Sequence, residues 1–301
     1  MIVSAPLLVL SAPGAEAARV AAMLGRHPDA YGLPELNLHL ATTVEGLLSV
    51  FQITQGNVQD GLLRAVAELY CGGQNGPGIG AAREWLRRRG DWTSMELLDE
   101  LSERIAPKLP VLAESGLAWR PHDVEAWLER VPDVRVLQVV RHPRAQCAGV
   151  ALRLQGPLFV PPDYKDHGVD PPVIDPQLAW YRINRNIGQA LALLPAAQCR
   201  RLQAEDLFAA PEETLRDICG WLGLPLGESA LRRMLLPEDG PYARIGGAEA
   251  PYGMEPEFHE APQFVGRLRP RMGLEGPAEW RSDGKPLAAE VVTLAHSYGY
   301  R

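Results

Sequence analysis

Two apolar runs constrain this chain more than any other feature. Residues 6–11 (PLLVLS) and 134–140 (VRVLQVV) are short, nearly continuous hydrophobic stretches. A strand with one face in water alternates polar and apolar residues, whereas a strand covered on both faces does not. Each run leads into a turn and then into residues at helical spacing. After the first come Ala12-Pro13-Gly14 and then Ala17, Val20, Ala21 and Leu24, ending at Gly25. After the second come Arg141-His142-Pro143-Arg144 and a helix over 145–154. Strand, turn and helix in that order form half of a βαβ unit, and parallel strands need connections of this length. The expectation is an α/β fold, a three-layer sandwich with a central parallel sheet. The length of 301 residues fits one elaborated domain over 1–301.

The same reading places helices at 47–54, 61–70, 81–89, 94–105, 122–131, 177–194, 211–222 and near 287–297. Thr93 or Ser94 is the expected cap of the fourth. Short strands are expected at 110–112 and, on an edge, at 200–203. Gly72 to Gly80 (GGQNGPGIG) reads as a flexible loop, and 157–176, rich in Pro, Asp and Gly, as a long exposed loop and candidate lid. In such folds ligands sit at the carboxyl ends of the strands. That brings together three loops: 12–17, 113–116 and 141–144.

Composition narrows the function. Lys+Arg is 30 against 37 for Asp+Glu, a net charge of −7, which disfavours nucleic acid and anionic membrane as partners. All but three of the basic residues (Lys108, Lys165, Lys285) are arginines, the side chain suited to planar anions. The first ten residues are apolar but lack Lys and Arg, and Pro6 and Pro13 interrupt them, so no signal peptide is expected. No apolar stretch approaches the roughly 18–20 residues of a membrane span. Four scattered cysteines without a C-x-x-C pair predict neither a metal site nor a disulfide framework, and the expected location is cytoplasmic.

Several segments resemble bacterial sulfotransferases, especially the branch that includes polyketide-associated sulfotransferase domains. The chain has Leu8–Pro13 (LVLSAP), His27-Pro28-Asp29, Pro34-Glu35-Leu36-Asn37-Leu38 and Leu137–Arg144 (LQVVRHPR). Trp180 with Asn186-Ile187, Glu205-Asp206-Leu207, Phe258-His259-Glu260 and Gly299-Tyr300 follow in family order. The resemblance implies a P-loop-NTPase-like fold and 3′-phosphoadenosine 5′-phosphosulfate as sulfuryl donor. It implies that the turn at Pro13 and Gly14, with its helix N-terminus, cradles the phosphosulfate. A basic side chain and hydroxyls complete that cradle. It also implies that Arg141 and Arg144, the former standing where family members have an arginine followed eight residues later by a serine, hold the 3′-phosphate.

The chain departs from the family pattern at these donor positions. Gly14 stands at the basic position, Ala15 at the serine, Glu16 at the glycine and Ala17-Ala18 at the hydroxyl pair. Gly149 stands at the serine of the 3′-phosphate site, and Glu114 replaces a lysine in Ala113-Glu114-Ser115-Gly116. A carboxylate about 4 Å from a phosphate costs about 1 kcal/mol in water and about 4 kcal/mol at an effective dielectric of 20. Donor binding is therefore expected to be weak. The acceptor side departs less. Glu35 stands at a family acid, and His259 at a histidine that belongs to the active site in the polyketide-linked branch. Glu35, His259, Glu16 and Glu114 are accordingly the candidate acid–base residues. Arg267, Arg269 and Arg271 read as a solvated basic loop, with reach to an anion as the alternative.

Three readings remain open on sequence. One is a divergent biosynthetic enzyme acting on a small-molecule or carrier-protein-bound acyl substrate with a changed donor or reaction. The second is a residual nucleotide-dependent sulfotransferase relying on backbone contacts and Arg141. The third is a non-catalytic binding or scaffold protein.

Overall fold

The computed structural model describes residues 5–54, 57–150, 161–168, 170–264, 273–281 and 283–301. The two apolar runs become β1 (Leu7–Leu10) and β4 (Arg135–Val140). With β2 (Ala30–Leu33), β3 (Leu109–Ala113) and β7 (Cys199–Gln203) they form a five-stranded sheet of order β2-β3-β1-β4-β7. All four pairings are parallel, with Leu8 opposite Leu112 on one side and Val136 on the other. A separate antiparallel pair joins β5 (Lys165–Asp166) to β6 (Val173–Ile174).

Successive residues of β1 feed opposite layers, which is why the run cannot alternate. Leu7 and Val9 pack with Val111, Leu137 and Val139 against α1 (Ala17–Gly25) and the helix Pro211–Leu222. Leu8 and Leu10 pack with Leu112 and Val136 against the helices Asp60–Tyr70, Ser94–Ile105 and Pro176–Leu191. The α/β three-layer architecture around a parallel sheet is therefore as the sequence predicts. The C-terminal helix Ala289–Ser297 returns to the sheet, where Val291 and Tyr298 meet Val140 and Trp180.

Local signals explain most element boundaries. Thr93 forms a capping box with Glu96: Glu96 N–H donates to Thr93 Oγ1 at 3.1 Å, and Thr93 N–H donates to Glu96 Oε2 at 2.7 Å. Three expectations need correction. Gly72 to Gly80 is not wholly a loop, because a helix begins within it and runs over Gly76–Arg87. Asn75 caps it by accepting from Gly78 N–H at 2.9 Å, and Pro77 sits in its first turn. β2 was not anticipated. The stretch 157–176 is anchored where it is described, since Tyr164 is buried and donates to Trp119 O at 2.8 Å. The helix expected over 145–154 starts at Pro143 and is described to Val150; residues 151–154, 157–160 and Arg267, Arg269 and Arg271 lie outside the described residues. No described helix is long and apolar enough to cross a membrane.

Candidate active site

Because β1, β3 and β4 run parallel, the turns after them share one edge of the sheet. The turn after β1 is left-handed at two residues, Gly14 (φ 79°) and Glu16 (φ 74°). Glycine at 14 is required twice over. The positive φ disfavours any side chain, and a Cβ there would lie 2.4 Å from Val150 Cγ1. The basic position of the sulfotransferase pattern is thus closed to a side chain in this backbone.

Glu16 does not project a bare charge. Its Oε2 accepts from Arg19 Nε at 2.9 Å, and its Oε1 lies 3.4 Å from Arg141 Nη1. Arg141 also donates to Gly14 O at 3.0 Å. The sequence offered Arg141 as a phosphate ligand; here it binds the turn itself. Gln146 reinforces the same turn by donating to Ala12 O and Pro13 O at 3.0 and 2.7 Å. Arg144 faces another way and donates to the carbonyls of Gly273, Glu275 and Pro277. Gly149 sits in the helix Pro143–Val150 with open space where a Cβ would stand.

The carboxylate that meets the backbone donors of this turn is Glu255, which sequence reasoning did not select. Glu255 Oε1 and Oε2 accept from Gly14 N–H and Ala18 N–H, each at 3.4 Å. These are long bonds, but they bring a buried acid to the backbone donors that open α1. Burial first, and then the neighbouring Glu35, Glu257 and Glu16, push Glu255 up to about 8. No sequence signal could have found it beyond its nearness to Phe258-His259-Glu260, since it lies 241 residues from Gly14.

Glu114 is also buried, but as a strut. Its carboxylate accepts from Leu36 N–H at 2.8 Å and from Asn37 N–H at 3.1 Å, fixing the Pro34–Leu38 segment against the end of β3. Burial and the nearby Glu35 push it up to about 8. It is not among the residues lining the pocket described next, a correction to its expected place beside the other acids. Glu35 does line that pocket. Its Oε1 accepts from Ser115 N–H at 3.3 Å, and desolvation raises its pKa against the opposing bonds to Ser115. Its backbone N–H donates to Gly253 O at 2.8 Å, and a Cβ on Gly61 would meet Glu35 O at 1.9 Å. The Pro34–Leu38 segment is thereby clamped between the second loop and residues 252–255.

Beside these groups opens a pocket of about 640 Å³. Glu35, Glu255, Glu257, Glu260 and His259 line it, with Trp119 and Tyr252 on its walls. His259 is buried in the short helix Pro256–Glu260. Its Nδ1 lies 3.2 Å from Ala243 O, which accepts only if Nδ1 carries the proton. Nε2 then holds the lone pair, and among the described residues it has no hydrogen-bond partner. Burial lowers the His259 pKa, keeping the ring neutral. The arrangement is a tautomer-fixed imidazole in the pocket lining whose Nε2 is able to accept a proton. Of the four predicted acid–base residues, Glu35 and His259 meet at the pocket, Glu16 stands at the adjoining turn, and Glu114 supports from behind.

The remaining motif pieces are structural. His27 accepts from Asp29 N–H at 3.0 Å and closes the turn between α1 and β2. Glu205 accepts from His142 N–H at 2.8 Å and from the Tyr300 hydroxyl at 3.0 Å, tying the chain terminus to the turn after β4. Among the described residues no group of three or more His, Cys, Asp or Glu side chains could hold a metal ion.

The profile of the family described as "Sulfotransferase family" matches residues 82–228. No curated protein sequence matches the chain. The fold is similar to that of the sulfotransferase domain from the curacin biosynthetic pathway, with a TM-score of 0.76 and 20% identity, covering 98% of each chain. It is also similar to the sulfotransferase domain from the Synechococcus PCC 7002 olefin synthase, with a TM-score of 0.72 and 21% identity, covering 98% of this chain and 94% of that one. The chain thus resembles the sulfotransferase family in sequence and carries the sulfotransferase fold.

Proposed function

We propose that this sulfotransferase-fold chain is a divergent biosynthetic enzyme that performs acid–base chemistry on a small-molecule or carrier-bound acyl substrate in the 640 Å³ pocket, with an altered donor or reaction. The observation that carries this reading is His259, a residue of the pocket lining that is buried, fixed as the Nδ1–H tautomer by Ala243 O, and without a hydrogen-bond partner at Nε2 among the described residues. In the reading, Nε2 accepts the proton of a substrate hydroxyl, and Glu35 on the same pocket, its pKa raised by desolvation, is the group able to supply a proton.

Three features support an altered donor. A basic side chain at position 14 is sterically closed, Arg141 is engaged by Gly14 O and Glu16, and the Glu255 carboxylate takes up Gly14 N–H and Ala18 N–H. A phosphosulfate in the same seat would have to displace Glu255 and would meet Glu16 alongside.

Turnover of a panel of hydroxyacyl pantetheine thioesters and small alcohols, followed by mass spectrometry, tests the reading. H259A is expected to lower the rate about 100-fold or more, within the usual range for a lost general base. Unchanged turnover in H259A would overturn the assignment. Calorimetry with 3′-phosphoadenosine 5′-phosphate addresses the donor separately. No heat is expected at millimolar nucleotide, and saturable binding would restore the nucleotide-dependent reading.

A further inference from the structure

His259 takes its orientation from the carbonyl of Ala243, and that carbonyl lies in a stretch with no hydrogen-bond ladder of its own. Between the short helices Pro237–Asp239 and Pro256–Glu260 the chain forms neither helix nor strand. Among its anchors is Arg64, in the second turn of the helix Asp60–Tyr70 and only 2% exposed. Arg64 donates from Nη2 to Arg244 O at 2.8 Å and from Nη1 to Tyr252 O at 2.7 Å. Its Nε donates to Gln74 Oε1 at 2.6 Å, and Gln74 Nε2 donates onward to Pro241 O at 2.8 Å. Ala243 is thus bracketed by Pro241 and Arg244, both on the network of one guanidinium. One helical turn before Arg64, Asp60 Oδ2 accepts from Tyr252 N–H at 3.0 Å. The Tyr252 ring stands 5.9 Å from the His259 ring. A planar guanidinium suits this task, because its rigid fork reaches several acceptors in fixed directions. Burying a guanidinium is unfavourable unless its donors are satisfied, and apolar packing could fasten a loop at lower cost. What the charged group adds here is direction, at the two groups that border the imidazole.

We propose that Arg64 is the positioning residue of His259: from behind the pocket it fixes Arg244 O and Tyr252 O, and through them the Ala243 carbonyl and the Tyr252 ring that set the imidazole. The catalytic consequence rests on the reading of His259 as the base of this pocket; the placement of the ring does not. Arg64 itself is not in the pocket lining. Its charge works in the same sense as its geometry. The acids that share the pocket with His259, Glu35, Glu255, Glu257 and Glu260, favour a protonated ring, as does the bond to Ala243 O. Burial first, and then the Arg64 charge, oppose that protonation. A neutral ring with its proton on Nδ1 leaves Nε2 able to accept.

Nitrogen NMR of the histidine rings tests this without a substrate. The full chain has seven histidines, and the signal missing from H259A identifies His259. In the parent it is expected to show one neutral tautomer, protonated at Nδ1. R64M is expected to lose that single form, both tautomers appearing, and to titrate at higher pH. R64K keeps a charge but not the fork, so it is expected to lose the fixed tautomer while titrating below R64M. R64K decides alone where R64M does not fold, and the parent spectrum decides where neither does. A parent ring protonated at Nε2, or a variant with a lowered melting temperature and an unchanged His259 tautomer, overturns the proposal and leaves Arg64 a purely structural residue. Turnover of the thioester and alcohol panel is expected to fall about tenfold or more in R64M, in kcat more than in KM. If the ring responds as expected while H259A turns over normally, the acid–base reading falls and the positioning stands. If the ring is unmoved while H259A abolishes turnover, the positioning falls and the acid–base reading stands.

Discussion

At the scale of single residues, the turn after β1 differs most from its sequence description. The bare sequence presents Glu16 as a charge left facing an incoming phosphate. In the fold it is shared between Arg19 and Arg141, and the carboxylate that meets the backbone donors belongs to Glu255. Gly14 likewise looks like a simple loss of a basic side chain, yet Val150 has filled the space a side chain would enter. Two residues far apart in sequence have therefore adjusted to each other, and neither is interpretable alone. Gly14→Ala is expected to destabilise the protein by about 2 kcal/mol or more, from the left-handed backbone and the contact with Val150 Cγ1. Urea denaturation measures this. Adding Val150→Ala should recover the steric part of the loss relative to what Val150→Ala costs alone, leaving the backbone part. A Gly14→Ala variant as stable as the parent would show that the turn has another conformation open to it.

At the scale of elements, the glycine-rich stretch before residue 80 is the instructive case. Gly76–Arg87 is a helix although Gly76, Gly78 and Gly80 lie in its first turns, each a residue that disfavours helix. A weak first turn of this kind depends on its cap. Asn75→Ala is expected to cost about 1 kcal/mol and to speed amide exchange in the first turns of this helix, with little effect on the helix Ser94–Ile105. Hydrogen exchange read by mass spectrometry separates the two helices. The same example marks what sequence could show. β1 and β4 were legible because burial on both faces removes alternation, and Ser94–Ile105 because its capping box and its apolar stripe agree. The first turns of Gly76–Arg87 were not, although its later residues fall within the helix expected over 81–89, because packing against the helix Asp60–Tyr70 overrides a poor propensity. The site divides in the same way. Glu35 and His259 were found through motif likeness. Glu255 carries no local signal, and its position beside Gly14 is a product of tertiary structure alone.

At the scale of the whole molecule, several shifted acids and bases couple folding to pH. Glu114 and Glu255 are each pushed up to about 8 by burial, well above an ordinary carboxyl. A group whose folded pKa is raised contributes stability below its unfolded pKa, and that contribution is lost as pH rises through the folded value. Between pH 4.5 and 8 each of the two therefore erodes stability with increasing pH. Two histidines act in the opposite sense. Burial lowers His39 to about 4 and lowers His259 as well, so both favour the fold once the unfolded chain has released its protons, near pH 6.5. Below about pH 6.5 the two trends oppose each other, and above it only the carboxyl trend remains. Melting temperature is accordingly expected to be nearly flat from pH 5.5 to 6.5 and to fall from pH 6.5 to 8. In that upper interval each carboxyl contributes a slope of up to about 1.4 kcal/mol per pH unit. Glu255→Gln removes one of the two titrating groups while keeping an amide oxygen for Gly14 N–H or Ala18 N–H. It is expected to flatten the descent above pH 6.5 by about half and to turn the flat interval from pH 5.5 to 6.5 into a rise, because the opposing carboxyl slope is halved there too. Thermal denaturation of the parent and this variant across pH 5–8.5 measures both limbs. A parent protein that grows more stable from pH 6.5 to 8 would mean that Glu114 and Glu255 are ionised in the folded state, held by cations outside the contacts described here.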